Sequence, residues 1–273
     1  MSIRVDAERL RRDFDALAAF GGTRDEGVER IALTSAHLEA RAWFLHRAAG
    51  AGLETSVDAA GNHSAILRGP PSRLTLLLGS HLDTVPNGGR YDGALGVVAA
   101  LEVLRVVQEA RLELPVTLEA IDFTDEEGAL VGLLGSFAVA GTLDARMLAT
   151  PRGGREALVA GLARAGLDEA GAVADEHGLG LDVRPVGRWR PTPLDATVRA
   201  AIAGAARRLG LSTLELPSGA GHDAQALAQI TPSGMIFVPS TGGLSHQPGE
   251  HTPWEDCVNG ANVLLHAALE LVT

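Results

Sequence analysis

The sequence contains no lysine. All 23 of its basic residues are arginine, and 34 acidic residues outnumber them. The absence of lysine excludes Schiff-base catalysis and the P-loop, because both need a lysine amine. The net charge of -11 argues against nucleic acid and anionic membranes, which are themselves negatively charged. We therefore expect neither of them as a partner.

Cysteine and long apolar runs are equally scarce. The single cysteine, Cys257, cannot form an internal disulfide, and its place on an apolar helical stripe predicts a small buried hydrophobe. No apolar run approaches the length that spans a membrane, and no signal peptide precedes the charged segment of residues 6–15. The expectation is a soluble cytoplasmic protein.

What is present is a strand, helix and strand in succession. Two apolar runs, residues 74–78 and 116–123, flank an amphipathic segment over residues 94–108, which predicts a βαβ unit. The remaining patterns predict an α/β fold of three layers, with a mixed, mostly parallel sheet between helices. Further strands are predicted over residues 54–57, 63–67, 181–186 and 235–238, and further helices over residues 6–19, 34–49, 133–140, 155–165, 195–209 and 252–272, with a short helix from Asp223.

Side chains that bind metals follow both strands of the βαβ unit. His81 and Asp83 follow the first strand, Glu126 and Glu127 follow the second, and Asp92 lies in the glycine-rich turn between them. The carboxyl ends of such strands meet in one crevice, where a catalytic metal centre needs imidazole and carboxylate ligands. In this pattern Asp83 would accept the proton of the second ring nitrogen of His81, and Asp92 would bridge two ions. The two glutamates would point different ways on an extended backbone, so that one binds metal and the other is a general base.

Each of these residues alone has a simpler explanation. A lone histidine at a strand end is more often a hydrogen-bonded structural residue, and an acidic triplet is usually a solvated loop or a helix cap. The whole set at successive strand ends favours the metal centre.

Three strings carry a resemblance to a known family. Residues 79–86 (GSHLDTVP), 87–93 (NGGRYDG) and 123–128 (FTDEEG) resemble the co-catalytic zinc aminoacylase and carboxypeptidase superfamily. The branch that they match is that of the N-carbamoyl-L-amino-acid hydrolases and allantoate amidohydrolases. Residues 218–224 (SGAGHDA) and 237–250 (FVPSTGGLSHQPGE) resemble late motifs of the same branch.

The resemblance implies roles for individual residues. Asp92 would bridge two metals, Glu127 and His246 would complete one site, and His81 would belong to the other. Glu126 would be the base that takes a proton from water and passes it to the leaving amine. The resemblance also implies a substrate pocket, lined by His222, Asp223, Asn87 and Arg90. A helix-capping role for Asp223 remains equally open.

Relatives of this branch carry an inserted lid and dimerisation domain, for which this chain has no room. We expect residues 1–273 to form a single catalytic domain, with the lost insertion near residues 166–180. The string His-Ile-Glu-Gln-Gly, whose histidine completes the second metal site in relatives, is absent from the sequence. Asp175, Glu176 and above all His177 are the nearby candidates to replace that ligand, although this stretch also fits a solvated helix end. The lid's substrate-carboxylate anchors and its partner-donated histidine would also be missing.

The resemblance thus implies a metal-dependent hydrolase of C–N bonds in small substrates such as N-carbamoyl amino acids, N-acyl amino acids or dipeptides. Zinc is the expected metal, manganese and cobalt remain open, and one or two ions would bind. The alternative is a weak or inactive lidless member that acts as a metal-binding scaffold for a ligand or a protein. Since relatives dimerise through the lid, we expect a monomer or a dimer formed through another surface.

Overall fold

The computed structural model describes residues 3–71, 74–167 and 191–273. Four strands form one sheet, in the spatial order β1-β2-β4-β3. Their bounds are β1 (Glu54–Val57), β2 (His63–Leu67), β3 (Thr75–His81) and β4 (Thr117–Phe123). The α-helices of the described residues are α1 (Ala7–Ala18), α2 (Ser35–Gly50), α3 (Ala94–Glu109), α4 (Leu134–Val139), α5 (Ala145–Ala149), α6 (Arg155–Ala165), α7 (Ala196–Arg208), α8 (Asp223–Leu227) and α9 (Trp254–Val272).

The α/β architecture with an open mixed sheet is confirmed. β3 and β4 are parallel and are joined through α3, as the βαβ pattern predicts. β2 pairs antiparallel with both β1 and β4, so among the described strands the expected majority of parallel pairings is not found. The practical result is that the carboxyl ends of β3 and β4 lie side by side, with His81 opposite Phe123.

The largest core lies between the sheet and helices α1, α2, α3 and α9. Alternate residues of β4, Leu118 and Ala120, enter this core because side chains of a strand alternate between faces. The central helix α3 is buried along nearly its whole length. A smaller apolar cluster joins α4 and α6 to the loop around Leu33. Together these cores hold the ends of β3 and β4 in place.

Three predictions about elements need correction or fall outside the described residues. Residues 235–238 were predicted as a strand, but they have no strand partner in the described part of the chain. An apolar sequence pattern favours an extended backbone but does not show whether a neighbouring strand is present. Thr252, Pro253 and Glu255 predict an N-cap threonine, a first-turn proline and a capping box at the start of α9. This prediction is wrong: Pro253 occupies the N-cap with an extended ψ of 135°, and no side chain of the described residues caps the helix. The predicted strand over residues 181–186 lies outside the described residues. Helix α5 was not predicted.

Among the described helices, none combines the length and the apolar character that crossing a bilayer requires.

Candidate metal centre

His81 ends β3 and is buried, with 4% of its surface exposed. Its Nε2 lies 3.5 Å from a carboxylate oxygen of Glu126 and 3.7 Å from one of Asp92. Its Nδ1 lies 3.0 Å from the backbone carbonyl of Asp83, whereas the Asp83 carboxylate is 3.8 Å away. The predicted contact is therefore corrected: the backbone of Asp83 is the hydrogen-bonding partner of this imidazole, and the carboxylate is a longer electrostatic neighbour.

The Asp83 carboxylate has a different task, because it binds the second loop of the site. Its two oxygens accept the backbone N–H groups of Glu126, at 3.3 Å, and Glu127, at 3.2 Å. Asp83 is fully buried. It therefore fixes the loop after β4 against the loop after β3, and through that loop it positions both glutamates.

Asp125, the first member of the acidic triplet, shapes the same loop. Its backbone is left-handed, with φ of 56°. The extended backbone that was predicted for the neighbouring glutamates therefore does not continue through Asp125. Its carboxylate accepts the backbone N–H groups of Leu130, Val131 and Gly132 at 2.5–2.9 Å. The triplet is consequently not a solvated loop: one carboxylate folds the loop and the other two face the site.

Asp92 lies between the two histidines of the cluster. One of its oxygens is 3.7 Å from His81 Nε2, and the other is 3.2 Å from His246 Nε2. The next residue, Gly93, begins α3 with φ of 62°, and a Cβ there would lie 2.4 Å from the His81 carbonyl oxygen. Only glycine fits this turn, which brings the Asp92 carboxylate close to β3.

His246 joins the cluster from the distant C-terminal part of the chain. Its Nε2 is 3.5 Å from Glu127, whose side chain is 7% exposed, while the His246 side chain itself is 50% exposed. Glu126 and Glu127 thus approach different partners, as predicted, although the backbone between them is bent. The structure brings His81, Asp92, Glu127 and His246 together around the buried Glu126.

The donor set fits a divalent cation. One ligand atom each from His81, Asp92 and Glu127 lies within 4.8 Å of the others. In a tetrahedral Zn²⁺ site with ligands at ~2.0–2.2 Å, neighbouring ligand atoms lie about 3.3–3.6 Å apart, so the widest pair of these atoms would move together by up to about 1.5 Å on binding. Asp92 offers separate oxygens to the two histidines, the arrangement that a bridging carboxylate needs.

The charges of the cluster favour a cation as well. Burial disfavours a charged His81, but the carboxylates of Glu126, Asp83 and Asp92 outweigh it and raise the pKa of His81 to about 10. Burial raises the pKa of Glu127 to about 7, and the nearby Asp92 charge contributes. A cluster that retains protons in this way is one whose negative charge lacks a counter-cation.

Glu126 behaves differently from Glu127. Burial works against its ionisation, but His81 and the nearby imidazole of His222 favour the anion and keep its pKa below the ordinary value. Glu126 is therefore an ionised, buried carboxylate at neutral pH. That is the state in which a carboxylate can accept a proton.

His222 and Asp223 also lie at the site. His222 Nδ1 is 3.7 Å from Glu126, and its Nε2 is 2.7 Å from the Ser218 hydroxyl. The capping explanation for Asp223 is wrong, because His222 occupies the N-cap of α8 and Asp223 is buried, with one carboxylate oxygen that has no hydrogen-bonding partner among the described residues. Both residues stay candidates for the substrate pocket.

Asn87 and Arg90 are placed differently from His222 and Asp223. The Asn87 side chain hydrogen-bonds Thr23 and Asp25, and Arg90 bonds Asp15 and stacks over Phe14, with its guanidinium carbon 4.9 Å from the ring centre. The described contacts tie both residues to the N-terminal segment, and none of them reaches a metal-binding side chain. His177 lies outside the described residues.

Sequence reasoning missed the buried support behind the ligands. Arg41 of α2 pairs with Asp122 of β4 at 2.8 Å, and Asp122 also accepts the N–H of Leu82, next to His81. Both partners of this ion pair are fully buried. The available signal was Asp122, a charged residue near the end of a largely apolar strand and directly before the loop that carries the acidic triplet.

Comparison with known proteins identifies the family of the chain. Residues 77–270 match the model of peptidase family M20/M25/M40. The N-carbamoyl-L-amino acid amidohydrolase of Geobacillus stearothermophilus is 27% identical over 404 aligned residues, covering 98% of this chain and 99% of that protein. A ureidoglycolate hydrolase of Arabidopsis thaliana is 35% identical over 144 residues, covering 52% of this chain and 30% of that protein. The 404-residue alignment exceeds the 273 residues of this chain, which fits a lidless form.

A solved structure gives the same result for the fold. The hydantoinase/carbamoylase family amidase from Burkholderia ambifaria superimposes with a TM-score of 0.83 at 25% identity, covering 99% of this chain and 98% of that one. The matched residues 77–270 contain all four ligand candidates and Glu126. The chain belongs to peptidase family M20/M25/M40.

Proposed function

We propose that this protein is a metal-dependent hydrolase of C–N bonds in small ureido or amide substrates, such as N-carbamoyl amino acids, N-acyl amino acids or dipeptides. That the chain is a hydrolase follows from its family and from relatives named amidohydrolases. The observation that carries the finer proposal is the convergence of four metal-binding side chains around one buried, ionised glutamate.

His81, Asp92, Glu127 and His246 would hold the metal, with zinc as the first choice and manganese or cobalt as alternatives. When bound, the ion supplies Lewis acidity, which polarises a scissile carbonyl and lowers the pKa of water. Glu126 accepts a proton from the attacking water on its carboxylate and returns it to the leaving nitrogen. The Asp83 carboxylate keeps Glu126 in place through the backbone, so the base is positioned before substrate binds.

The test is activity on a panel of carbamoyl amino acids, acylamino acids and dipeptides after loading with Zn²⁺, Mn²⁺ or Co²⁺. Glu126→Gln should reduce kcat by about 10²–10⁴-fold while Zn²⁺ binding persists, because only the base is lost. Glu54→Gln, in an exposed pair with Arg68, is the matched control and should change nothing. A parent that hydrolyses no member of the panel would overturn the proposal.

A second candidate function is a metal-binding scaffold with little or no catalysis. The half-exposed His246 favours it, since a ligand open to solvent leaves the site less enclosed than catalysis prefers. Under this proposal Glu126→Gln would leave the biological effect of the protein untouched.

Metal content separates a complete site from a partial one. Elemental analysis after Zn²⁺ loading and desalting should give two equivalents per chain if the second site is rebuilt, with one lost in His177→Ala. One equivalent, lost in Glu127→Ala alone, would favour a half-site and a weak enzyme or scaffold. We further propose a cytoplasmic protein with a single catalytic domain that is a monomer or a dimer formed through a surface other than a lid, and light scattering would test its oligomeric state.

A further inference from the structure

We propose that Glu250 is a positioning residue that couples the two halves of the metal site, one from β3 and α3 and the other from the C-terminal part of the chain. The inference rests on the proposed metal site. It concerns how ligands that are remote in sequence are held in register, and it does not concern the ligands themselves.

The geometry of Glu250 is that of a clamp. One carboxylate oxygen accepts the backbone N–H of Asp92 at 3.1 Å, and the other accepts the backbone N–H of His246 at 3.2 Å. These two residues come from opposite halves of the site and offer their side chains to each other at 3.2 Å. A single carboxylate therefore spans the two loops and sets the spacing of two ligand candidates.

Glu250 is buried, and its backbone is fixed by a turn. Glu250 is 8% exposed, and its backbone N–H bonds to the Gln247 carbonyl, which closes the turn that also carries His246. A parallel contact lies beside it, where the Tyr91 hydroxyl is 3.4 Å from His251 Nδ1. Tyr91 and His251 are the sequence neighbours of Asp92 and Glu250. The two loops therefore contact each other at two successive positions.

Gly89 leaves the space that the clamp needs. A Cβ on Gly89 would lie 2.5 Å from the Glu250 carboxyl carbon and from one of its oxygens. The φ angle of Gly89 is not positive, so its backbone conformation does not itself require glycine. Its lack of a side chain is thus explained by the close approach of Glu250.

A carboxylate that orients metal-binding residues without touching the metal typically contributes 10–100-fold to metal affinity. Glu250→Ala should therefore weaken Zn²⁺ binding by about 10–100-fold. Glu250→Gln should fall between Ala and the parent, since the amide keeps one acceptor oxygen and loses the other. Gly89→Ala should weaken binding in the same direction, although it leaves Glu250 itself unchanged. Glu255→Gln, exposed at the start of α9, is the matched control and should bind as the parent does.

The experiment is competition for Zn²⁺ against a chromogenic chelator, combined with urea unfolding of each metal-free variant. Positioning predicts weaker Zn²⁺ binding at an unchanged metal-free unfolding midpoint, whereas a merely structural role would lower the midpoint. Zn²⁺ affinity equal to that of the parent in both Glu250→Gln and Gly89→Ala would overturn the inference, even if Glu250→Ala fails to fold. A parent that binds no Zn²⁺ would overturn the proposed metal site as well, so the two failures are distinct.

Discussion

The central βαβ unit and the segment over residues 211–251 contribute to the same site but differ sharply in packing. Leu101 and Leu104 of α3 are fully buried, whereas Leu214 and Phe237 are 79% and 61% exposed. The ligands follow the same division, with His81 buried and His246 half exposed. The first half of the site is thus preformed by the core, and the second half is held by a few hydrogen bonds.

The largest effect should come from breaking the support of the preformed half. Arg41→Met removes the ion-pair partner of the buried Asp122, and it also removes the hydrogen bond that Arg41 donates to Thr124. Because an uncompensated charge remains in the core, the free energy of unfolding should fall by about 3–5 kcal/mol in urea titrations. The control, Arg68→Met, breaks the exposed pair with Glu54 and should leave the free energy of unfolding nearly unchanged, because water screens this pair. Equal losses in the two variants would contradict the division.

A smaller effect should separate the two histidines in the metal-free protein. His81→Ala removes the buried counter-charge of Glu126 and Asp92, and should lower the free energy of unfolding by about 2–3 kcal/mol. His246→Ala removes a half-exposed ring and should stay within about 0.5 kcal/mol. Both variants should bind Zn²⁺ more weakly. Thermal and urea unfolding in the presence of a chelator provide the measurement.

The pH dependence of the metal-free protein should also report the preformed half. Burial raises the pKa of Glu127 and of Asp125 to about 7, above the unfolded values of ~4. A raised folded pKa gives stability that is present below the unfolded pKa and is lost as pH rises through the folded pKa. The contribution of these two carboxyl groups to the free energy of unfolding should therefore decrease from pH 5 to pH 8, by on the order of 2 kcal/mol for each group.

Two additions sharpen the pH experiment. Zn²⁺ should reduce the decrease, since the cation takes the place of the retained protons. Glu127→Gln should lose its share of this decrease, because one of the two titrating groups is gone. The stability of Glu127→Gln relative to the parent should therefore rise between pH 5 and pH 8, and a constant or falling difference would contradict the sign of the Glu127 shift.

The smallest effect is expected in the exposed segment. Leu214→Ala should change the free energy of unfolding by no more than about 0.5 kcal/mol, whereas Leu104→Ala in α3 should cost about 2–5 kcal/mol through the cavity that it leaves. Urea titration of this matched pair measures the packing difference directly. A large loss in Leu214→Ala would mean that the segment packs more tightly than its exposure indicates.

The same division explains what the sequence could and could not predict. Elements flanked by glycine, such as β2 after the turn at Gly61 and α6 between Gly154 and Gly166, were predicted with their bounds intact, since glycine marks where a regular backbone stops. The strand over residues 235–238 failed because pairing depends on a neighbour that periodicity cannot see. Site residues were predictable where a motif sets residue type, as at Asp92.

Hydrogen-bonding roles were less predictable than residue types. Asp83 was expected to bond an imidazole, yet its carboxylate serves two backbone amides, and Asp125 shapes a loop with three. These roles depend on backbone direction after the strand, which the left-handed turn at Asp125 reverses. The role of Glu250 was not predictable, because one of its hydrogen-bonding partners, Asp92, lies 158 positions away in the sequence. Its other partner, His246, lies only four positions away.

The contact between α3 and α9 bears on how the chain acquires its fold during synthesis. Ala261, Leu265 and Ala268 of α9 belong to the same core as α3, and Asn262 accepts the backbone N–H of Val5. As the nascent chain leaves the ribosome, one side of α3 must wait for α9 with its apolar side chains uncovered. Over that interval the unfinished protein exposes apolar surface that α9 later covers, and three of the ligand candidates emerge before His246 can join them.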